Sequence, residues 1–345
     1  MLLPVLIPLV LFGSEDFEPL DEVAEPRGLF DAPAEWWTEN LRWTIDESGR
    51  AVFNTDTEVT GTVVAIGFDV HKVVSGHSGD IGTFVLQGYL TRIDDLARRP
   101  PFFEGDSDWE FVFRIFNFNY TAWTRGLVNL RIGHFEVPYG LEHILNTNGT
   151  LRDYNHGPNL GVKADWGATL NGSVEGFEYE VGWSRGTGNE YTDRGDPGIV
   201  AGRVGTDRDA DTVVGLSGLS GRVLGPNGTV DRDRVGLDLS HYRGPLGYLA
   251  EFSLGDDEGR DVRNAMVEMN WRNSNETVLC WLQARDFAFE TPAGDFDDGI
   301  SSALGIRWAP DPHWSLSFQW TQAITTASPS AARDALLALQ LRYRF

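Results

Sequence analysis

Hydrophobic and polar residues alternate along the last segment of the chain, from Leu337 to Phe345. Leucines and aromatic residues occupy one parity, whereas Gln340, Arg342 and Arg344 occupy the other. Because successive side chains of a β-strand point to opposite faces, this segment predicts a strand with one apolar and one cationic face. Half-buried strands of soluble sheets and strands of transmembrane barrels share this pattern, so the rest of the chain must distinguish them.

The same alternation recurs through most of the chain without a clear helical pattern. Between residues 314 and 320, for example, Trp, Leu, Phe and Trp alternate with Ser, Ser and Gln. We predict strands at residues 41–54, 58–70, 81–91, 109–119, 126–134, 158–171, 176–186, 198–205, 213–224, 232–241, 246–254, 262–272, 276–286, 300–308, 313–322 and 335–345. In hydrocarbon every backbone polar group needs a partner, so such strands must close on themselves. The predicted fold is all-β: a transmembrane antiparallel β-barrel of about 16 strands over residues 41–345, with an aqueous lumen.

The predicted connections alternate between short and long, as in barrels with short turns at one end and longer loops at the other. Short connections include 120–125, 172–175, 242–245, 273–275 and 309–312, and long ones include 92–108, 135–157, 187–197, 287–299 and 323–334. Two connections depart from this rule, since 71–80 is long for a turn and 55–57 is short for a loop. A soluble secreted β-sandwich that acts as a binding module is the alternative fold, but nothing requires its connections to alternate in length.

Composition narrows the range of functions. The 345 residues carry 51 acidic and 28 basic side chains, a net charge of −23, which argues against nucleic acid as a partner. Cys280 is the only cysteine, so no disulfide framework forms within the chain, and no Cys or His spacing suggests a metal site. We therefore expect no metal and no other cofactor. No stretch after residue 13 approaches the roughly 18 apolar residues of a membrane-spanning helix.

Two segments precede the predicted barrel. Residues 1–13 are apolar and too short to span a membrane, which predicts a secretory signal peptide over residues 1–14. A buried strand or a misassigned start are the alternatives there. Residues 15–40 combine nine acidic residues with one basic residue, Arg27, and several prolines, which predicts a flexible acidic leader.

The stretch LRIGHFEVPYGLE, from Leu130 to Glu142, resembles a motif of the phosphate-selective porin O and P family. The residues that carry the resemblance are Gly133, Phe135, Val137, Pro138, Tyr139, Gly140, Leu141 and Glu142. The resemblance implies a sixteen-stranded outer-membrane porin, usually a homotrimer, whose third outer loop folds into the lumen and which passes small anions. Phosphate selectivity in that family depends on pore arginines and lysines, and this chain has only two lysines. The resemblance therefore supports the porin class rather than the phosphate specificity.

By the count of long connections, residues 135–157 form the third outer loop, which the resemblance places in the lumen as a constriction. Its candidate pore residues are Glu136, Glu142, His143, Arg152, Asp153 and His156. Acids at a constriction attract cations, because rings of charged side chains set the selectivity of a pore. The alternative is that these charges pack the loop or lie on its surface.

Charged residues also occupy the inward parity of the predicted strands. The basic candidates are Arg114, Arg131, Lys163, Arg285, Arg307, Arg342 and Arg344, and the acidic candidates are Glu110, Asp165, Glu178, Glu180, Asp238, Glu251 and Glu268. The two sets roughly balance. We expect acidic and basic clusters that face each other across the lumen to produce a transverse field. An arginine ladder for anions and a set of paired structural networks are the alternatives.

No catalytic constellation accompanies these charges. Asp207, Asp209 and Asp211 lack the glycine and glutamate of an EF-hand loop, so we predict a solvated turn there. An outer-membrane barrel hydrolase would need a nucleophile beside a base, which the scattered histidines do not supply, so we predict no enzyme activity.

We therefore predict a porin of the cell outer membrane that lets small hydrophilic solutes or ions, among them anions such as phosphate, diffuse passively. Its expected partners are outer-membrane lipid, further copies of the chain in a homotrimer, and the barrel-assembly machinery through the strand that ends at Phe345.

Overall fold

The computed structural model describes residues 39–55, 58, 60–76, 79–94, 109–124, 126–154, 156–225, 228–325 and 335–345. The predicted signal peptide, residues 1–14, and all but the end of the predicted acidic leader, residues 15–40, lie outside the described residues. The barrel unit extends from Asn40 to Phe345.

One closed antiparallel sheet of sixteen strands forms the barrel. The strands are β1 (Leu41–Asn54), β2 (Thr60–Gly76), β3 (Gly79–Asp94), β4 (Trp109–Tyr120), β5 (Asn129–Glu136), β6 (Ala164–Val174), β7 (Phe177–Ser184), β8 (Gly198–Thr206), β9 (Thr212–Gly225), β10 (Gly228–Arg243), β11 (Leu246–Asp257), β12 (Arg260–Arg272), β13 (Val278–Glu290), β14 (Phe296–Trp308), β15 (Trp314–Ala323) and β16 (Ala335–Arg344). Each strand pairs with its sequence neighbours, and β1 pairs with β16 to close the barrel. The predicted all-β barrel is confirmed, and the single closed sheet excludes a two-sheet sandwich.

The apolar parity of the strands faces outward and the polar parity faces the lumen. In β16, Leu339 and Leu341 are 50% and 51% exposed, whereas Gln340 between them is 2% exposed. Large exposed apolar side chains occur on all sixteen strands. This arrangement is the reverse of a water-soluble protein, and it suits an exterior that contacts hydrocarbon.

Aromatic side chains collect around the end of the barrel where β1 begins and β16 ends. The ring centroids of Trp43 and Phe345 lie 6.4 Å apart, and those of Trp314 and Tyr343 lie 4.5 Å apart. Aromatic rings favour the boundary between hydrocarbon and water. At this rim Phe345 also exchanges two backbone hydrogen bonds with Ile45, of 2.8 and 3.1 Å, so the last residue helps to close the seam between the first and last strands.

The two ends of the barrel differ in the length of their connections. We call the end with connections 77–78, 121–128, 175–176, 207–211, 244–245, 273–277 and 309–313 the turn end, and the opposite end the loop end. The prediction of a long turn at 71–80 is wrong, because β2 extends to Gly76 and β3 begins at Gly79. At the loop end, connections 226–227 and 258–259 are short, since the strands beside them pair almost to their tips. The alternation of lengths is therefore weaker than predicted between β9 and β12.

The connection between β5 and β6, residues 137–163, packs against the inner wall of the barrel, and we call it the third loop. It contains two single-turn helices, α1 (Gly140–Ile144) and α2 (His156–Leu160), so the expectation of no helix is wrong here. The predicted strand 158–171 is also wrong in its first part, because β6 starts only at Ala164.

Candidate functional site: the third loop in the lumen

Two glycines of the predicted motif shape the entry to the third loop, one within β5 and one at the start of α1. Gly133 in β5 has a φ of 130°, and a Cβ there would lie 2.1 Å from the carbonyl oxygen of Phe116. Gly140, the first residue of α1, has a φ of 54°, and its Cβ would lie 2.2 Å from Oε2 of Glu251. Residues with a side chain rarely adopt positive φ, so both positions need glycine for conformation and for space.

Apolar side chains fix the third loop to the inner wall in three clusters. Burying one such side chain contributes about 1.5–3 kcal/mol, so the clusters hold the loop at several separate points. The clusters are Val137, Tyr139, Leu160 and Val162 with Ile199, Ala201, Leu219 and Val223; Leu141 with Leu249 and Met266; and Leu151 with Leu279 and Trp281. They span β8 and β9, β11 and β12, and β13. Phe135 and Pro138 of the predicted motif are also buried at the base of the loop.

Polar contacts complete the attachment at α1. The first backbone N–H groups of a helix have no partner within it, and here wall side chains accept two of them. The contacts are Gly140 N to Ser217 Oγ at 3.0 Å, Leu141 N to Glu251 Oε2 at 2.7 Å, and Tyr139 Oη with Ser253 Oγ at 2.7 Å. Burial raises the pKa of Tyr139 to about 12, so its hydroxyl keeps its proton at physiological pH.

Glu142 and His156, two of the predicted constriction residues, lie inside the third loop rather than on the surface of the lumen. Glu142 is 4% exposed and His156 is fully buried. The Glu142 carboxylate lies 3.2 Å from Lys163 Nζ and 3.5 Å from His156 Nδ1. His156 Nε2 donates a hydrogen bond to the carbonyl oxygen of Tyr139. This group ties α1 to α2, and Lys163, predicted on a wall strand, belongs to it.

His143 lies on the other side of α1, against the wall. Its Nε2 is 3.4 Å from Glu180 Oε2, while Arg131 Nη1 contacts the other oxygen of Glu180 at 3.0 Å. Burial lowers the pKa of His143 well below its usual range, and the charge of Arg131 lowers it further. The imidazole is therefore neutral at physiological pH, since Arg131 already compensates the carboxylate.

The tip of the third loop reaches the opposite wall. Arg342 Nη1 on β16 donates to the carbonyl oxygen of Asn148 at 2.8 Å, and Arg50 Nη2 on β1 donates to that of Thr150 at 3.2 Å. The Asn148 side chain also donates to Tyr89 Oη on β3. The loop therefore crosses the lumen and is held at both sides.

The returning arm of the loop carries Arg152 and Asp153, both predicted at the constriction. Arg152 Nη1 lies 2.9 Å from Glu268 Oε1, and Asp153 Oδ2 lies 3.1 Å from Arg285 Nη2. The Asp153 side chain is 39% exposed, in contrast to Arg152 at 10%. Because its side chain is the more exposed of the two, Asp153 can act directly on a passing ion.

Most of the remaining predicted wall charges are paired. Arg114 contacts Glu136, which ends β5, at 2.7 Å. Arg342 pairs with Asp46, and Arg344 lies 3.6 Å from both Asp46 and Asp69.

Three further predicted wall acids contact partners that the sequence analysis did not name. Glu178 contacts Arg208 at 2.6 Å, and Asp238 contacts Arg203 at 2.6 Å. Asp165 is fully buried and accepts backbone N–H groups of residues 186–188, so it anchors the 185–197 loop. Glu110 is half-buried on β4.

Sequence reasoning missed several lumen charges. Asp46 and Arg50 lie on the inward parity of β1, which is continuous from Leu41 to Asn54. Arg203 and Arg272 lie on the inward parity of β8 and β12, and that parity could have identified them.

Two cavities flank the third loop. One, of about 350 Å³, is lined by His143 and by residues of β4 to β8. The other, of about 290 Å³, is lined by Asn146, Asn148 and Arg152 of the loop and by residues of β10, β12 to β14 and β16. Solvent therefore enters the barrel on both sides of the loop.

Three further features bear on function. Asp207 accepts the backbone N–H of Asp209 within a turn-end connection. The described part of the chain contains no group of three or more His, Cys, Asp or Glu side chains placed to hold a metal ion. Within the same residues, no helix has the length and apolar character needed to cross a membrane.

No family model matches the chain, and no curated protein matches it. Solved structures do match. OprB of Pseudomonas putida aligns with a TM-score of 0.66 and 10% identity over 90% of this chain and 96% of that chain. The in-vitro folded trimer form of OmpT, an outer membrane protein of Vibrio cholerae, aligns with a TM-score of 0.63 and 12% identity over 88% of this chain and 99% of that chain.

An anion-selective porin from Comamonas acidovorans aligns with a TM-score of 0.60 and 10% identity, again over 88% of this chain and 99% of that chain. Identities this low show the fold alone, which is a sixteen-strand porin-type barrel. The resemblance seen in the sequence is confirmed at that level, and these structures do not single out the phosphate-selective porins.

Proposed function

We propose that this chain is an outer-membrane porin through which small hydrophilic solutes or ions diffuse passively, anions such as phosphate among them. The observation that carries the proposal is a third loop fixed inside a closed barrel whose outer face is apolar. OmpT of Vibrio cholerae is an outer membrane protein and the Comamonas acidovorans protein is an anion-selective porin, and both share this fold.

Passage is restricted first by size, because the third loop crosses the lumen, with a cavity on each side of it. Charge then biases the ions that fit. Most lumen charges are paired, so the field at the constriction depends on the exposed members, of which Asp153 is one.

Planar-bilayer recordings test this proposal. Purified protein that migrates as a folded barrel should insert and produce stepwise, ohmic conductance increases in salt solution. A folded preparation that binds to the bilayer but produces no steps contradicts it. The heat-denatured protein is the matched control, since it has the same sequence without the closed sheet.

We further propose that the chain forms a homotrimer through the outer face of β1. Glu47 is exposed there, between Tyr343 of β16 and Ile66 of β2. A charged side chain that faces lipid is unfavourable. An arginine or lysine at the bilayer midplane costs about 2–4 kcal/mol, and a glutamate costs less. Next to it, a Cβ on Gly49 would meet no atom within 4 Å, so the centre of this face is flat and partly polar. A second copy covers such a strip better than lipid does.

Native mass spectrometry in detergent tests the trimer. Gly49→Trp fills the flat strip at a position where a Cβ meets no atom within 4 Å, and it should convert trimers to monomers. Val235→Trp, on the outer face of β10 where Val235 is 62% exposed, is the matched control and should leave trimers intact. Trimers that survive Gly49→Trp exclude β1 as the interface, and a monomeric parent protein excludes the trimer.

A further inference from the structure

The smaller cavity beside the third loop carries an excess of positive charge. Five arginines and a single acid line it: Arg152, Arg272, Arg307, Arg342, Arg344 and Glu276. Three of the arginines have acidic partners elsewhere, since Arg152 contacts Glu268 and both Arg342 and Arg344 lie beside Asp46. The cavity is therefore not neutral, although the whole chain carries a net charge of −23.

Arg272 and Arg307 are the source of the excess. The Arg272 guanidinium lies over the ring of Tyr242, 5.5 Å from its centroid. Arg307 is exposed to the lumen, and within the described residues neither arginine forms an ion pair. Glu276 is exposed in the turn-end connection 273–277 and lies near Arg307 without contacting it.

The sheet register brings these two arginines to one level of the wall. Leu279 of β13 pairs with Arg272 on one side and with Arg307 on the other. Neighbouring strands are about 4.8 Å apart, so the two Cα atoms are separated by about 10 Å and both long side chains reach the same space. Arg307 also lies in the repulsive field of Arg152 and Arg342. Glu276, the single acid of the lining, offsets only part of that repulsion, and an anion bound in the cavity would offset more of it.

The larger cavity provides the contrast. Its arginines are all paired with acids: Arg131 with Glu180, Arg208 with Glu178, and Arg203 with Asp238. The two cavities are thus similar in size, but among the described residues only the smaller one presents arginines without acidic partners to a solute.

We propose that the cavity between β12, β14, β16 and the third loop is a binding site for small oxyanions, with Arg272 and Arg307 as its principal ligands. The planar guanidinium group binds carboxylate or phosphate through two parallel hydrogen bonds to two oxygens, whereas a halide offers a single acceptor atom. A volume of about 290 Å³ holds a phosphate ion or a short dicarboxylate together with several waters of about 30 Å³ each. This inference deepens the proposed porin function and rests on it for its biological meaning, but binding can be measured without transport.

Isothermal titration of the folded, detergent-solubilised protein tests the site directly. Inorganic phosphate and succinate should each bind one site per chain, and chloride at the same ionic strength should not. Arg272→Gln with Arg307→Gln should weaken phosphate binding about tenfold or more, the loss expected when hydrogen bonds to a charged group disappear. Arg208→Gln is the matched control, because it removes an exposed arginine from the other cavity, and it should leave phosphate binding unchanged.

A bilayer measurement separates this site from the channel proposal. In chloride solution, added phosphate should reduce the current of the parent protein and reduce it less in the double variant. A conducting protein that shows no phosphate binding, or equal binding in the double variant and the parent, overturns the site and leaves the porin function standing. Phosphate binding without any conductance overturns the porin function and leaves the site standing.

Discussion

Replacing Gly140 by alanine should loosen the third loop while leaving the barrel sheet intact. The residue has a φ of 54°, and an added Cβ would lie 2.2 Å from Oε2 of Glu251. That carboxylate accepts the N–H of Leu141 at 2.7 Å, so it must move away and give up the bond that holds the start of α1.

The size of the effect follows from these two losses. An alanine in the left-handed region costs about 1–2 kcal/mol, and a hydrogen bond to a charged group contributes about 1.5–3 kcal/mol. Together they weaken the attachment by about 3–4 kcal/mol, which raises the population with a released α1 more than a hundredfold. The sheet keeps its stability, because the strand pairing around Glu251 is backbone to backbone.

Single-channel recording is the assay. The Gly140→Ala channel should show a larger mean conductance and more current noise, while its thermal transition on gel electrophoresis stays within a few degrees of the parent. Gly218→Ala is the control, since a Cβ at Gly218 would have its nearest contact at 3.9 Å. Equal conductance and noise in the parent and in Gly140→Ala would refute the argument that this contact holds the loop.

Three other predictions concern the lumen and the seam. Asp153→Asn should shift the reversal potential in a salt gradient toward anions, whereas Glu142→Gln, which alters a buried group, should lower thermal stability with a smaller shift; the opposite ranking contradicts the placement of the two acids. Because the pKa of His143 is lowered in the folded state, the unfolded chain binds the extra proton first as pH falls below about 6.5, so stability drops there. His143→Gln should flatten this part of the pH profile of the melting temperature, and an unchanged profile contradicts the buried neutral imidazole. Deleting Phe345, which exchanges two backbone bonds with Ile45, should reduce the yield of folded barrel in refolding assays, and an unaffected yield contradicts its role in the seam.

Side-chain parity made the fold predictable from the sequence. A membrane strand must present apolar atoms to lipid at every second residue, and Leu339, Gln340 and Leu341 obey that rule in the structure.

The same parity failed in the third loop for a physical reason. Leu160 and Val162 continue the alternation of β6 and suggested a strand, yet they are buried against the inner wall beside Ile199 and Val223. An apolar residue that packs inside the barrel looks the same in sequence as one that faces lipid. Local pattern therefore located the loop but misplaced its end.

The burial of individual loop charges could not be predicted either. Glu142 looked like a pore acid, but Lys163 and His156 surround it once the loop folds back on itself. Asp153, only eleven residues later, stays at the lumen because its partner Arg285 lies on the wall. The difference depends on the path of the loop, which no local feature encodes.

The central claim is that solutes pass through the barrel beside a third loop that sets the narrowest point. The most direct test measures which neutral polymers of graded size are excluded from the open channel. The parent protein is compared with a variant in which the tip of the third loop, residues 145–152, is replaced by a short Gly-Ser linker. We predict that the variant conducts more and admits larger polymers than the parent. An identical polymer cut-off in the two proteins, or no conductance in either, would contradict the account.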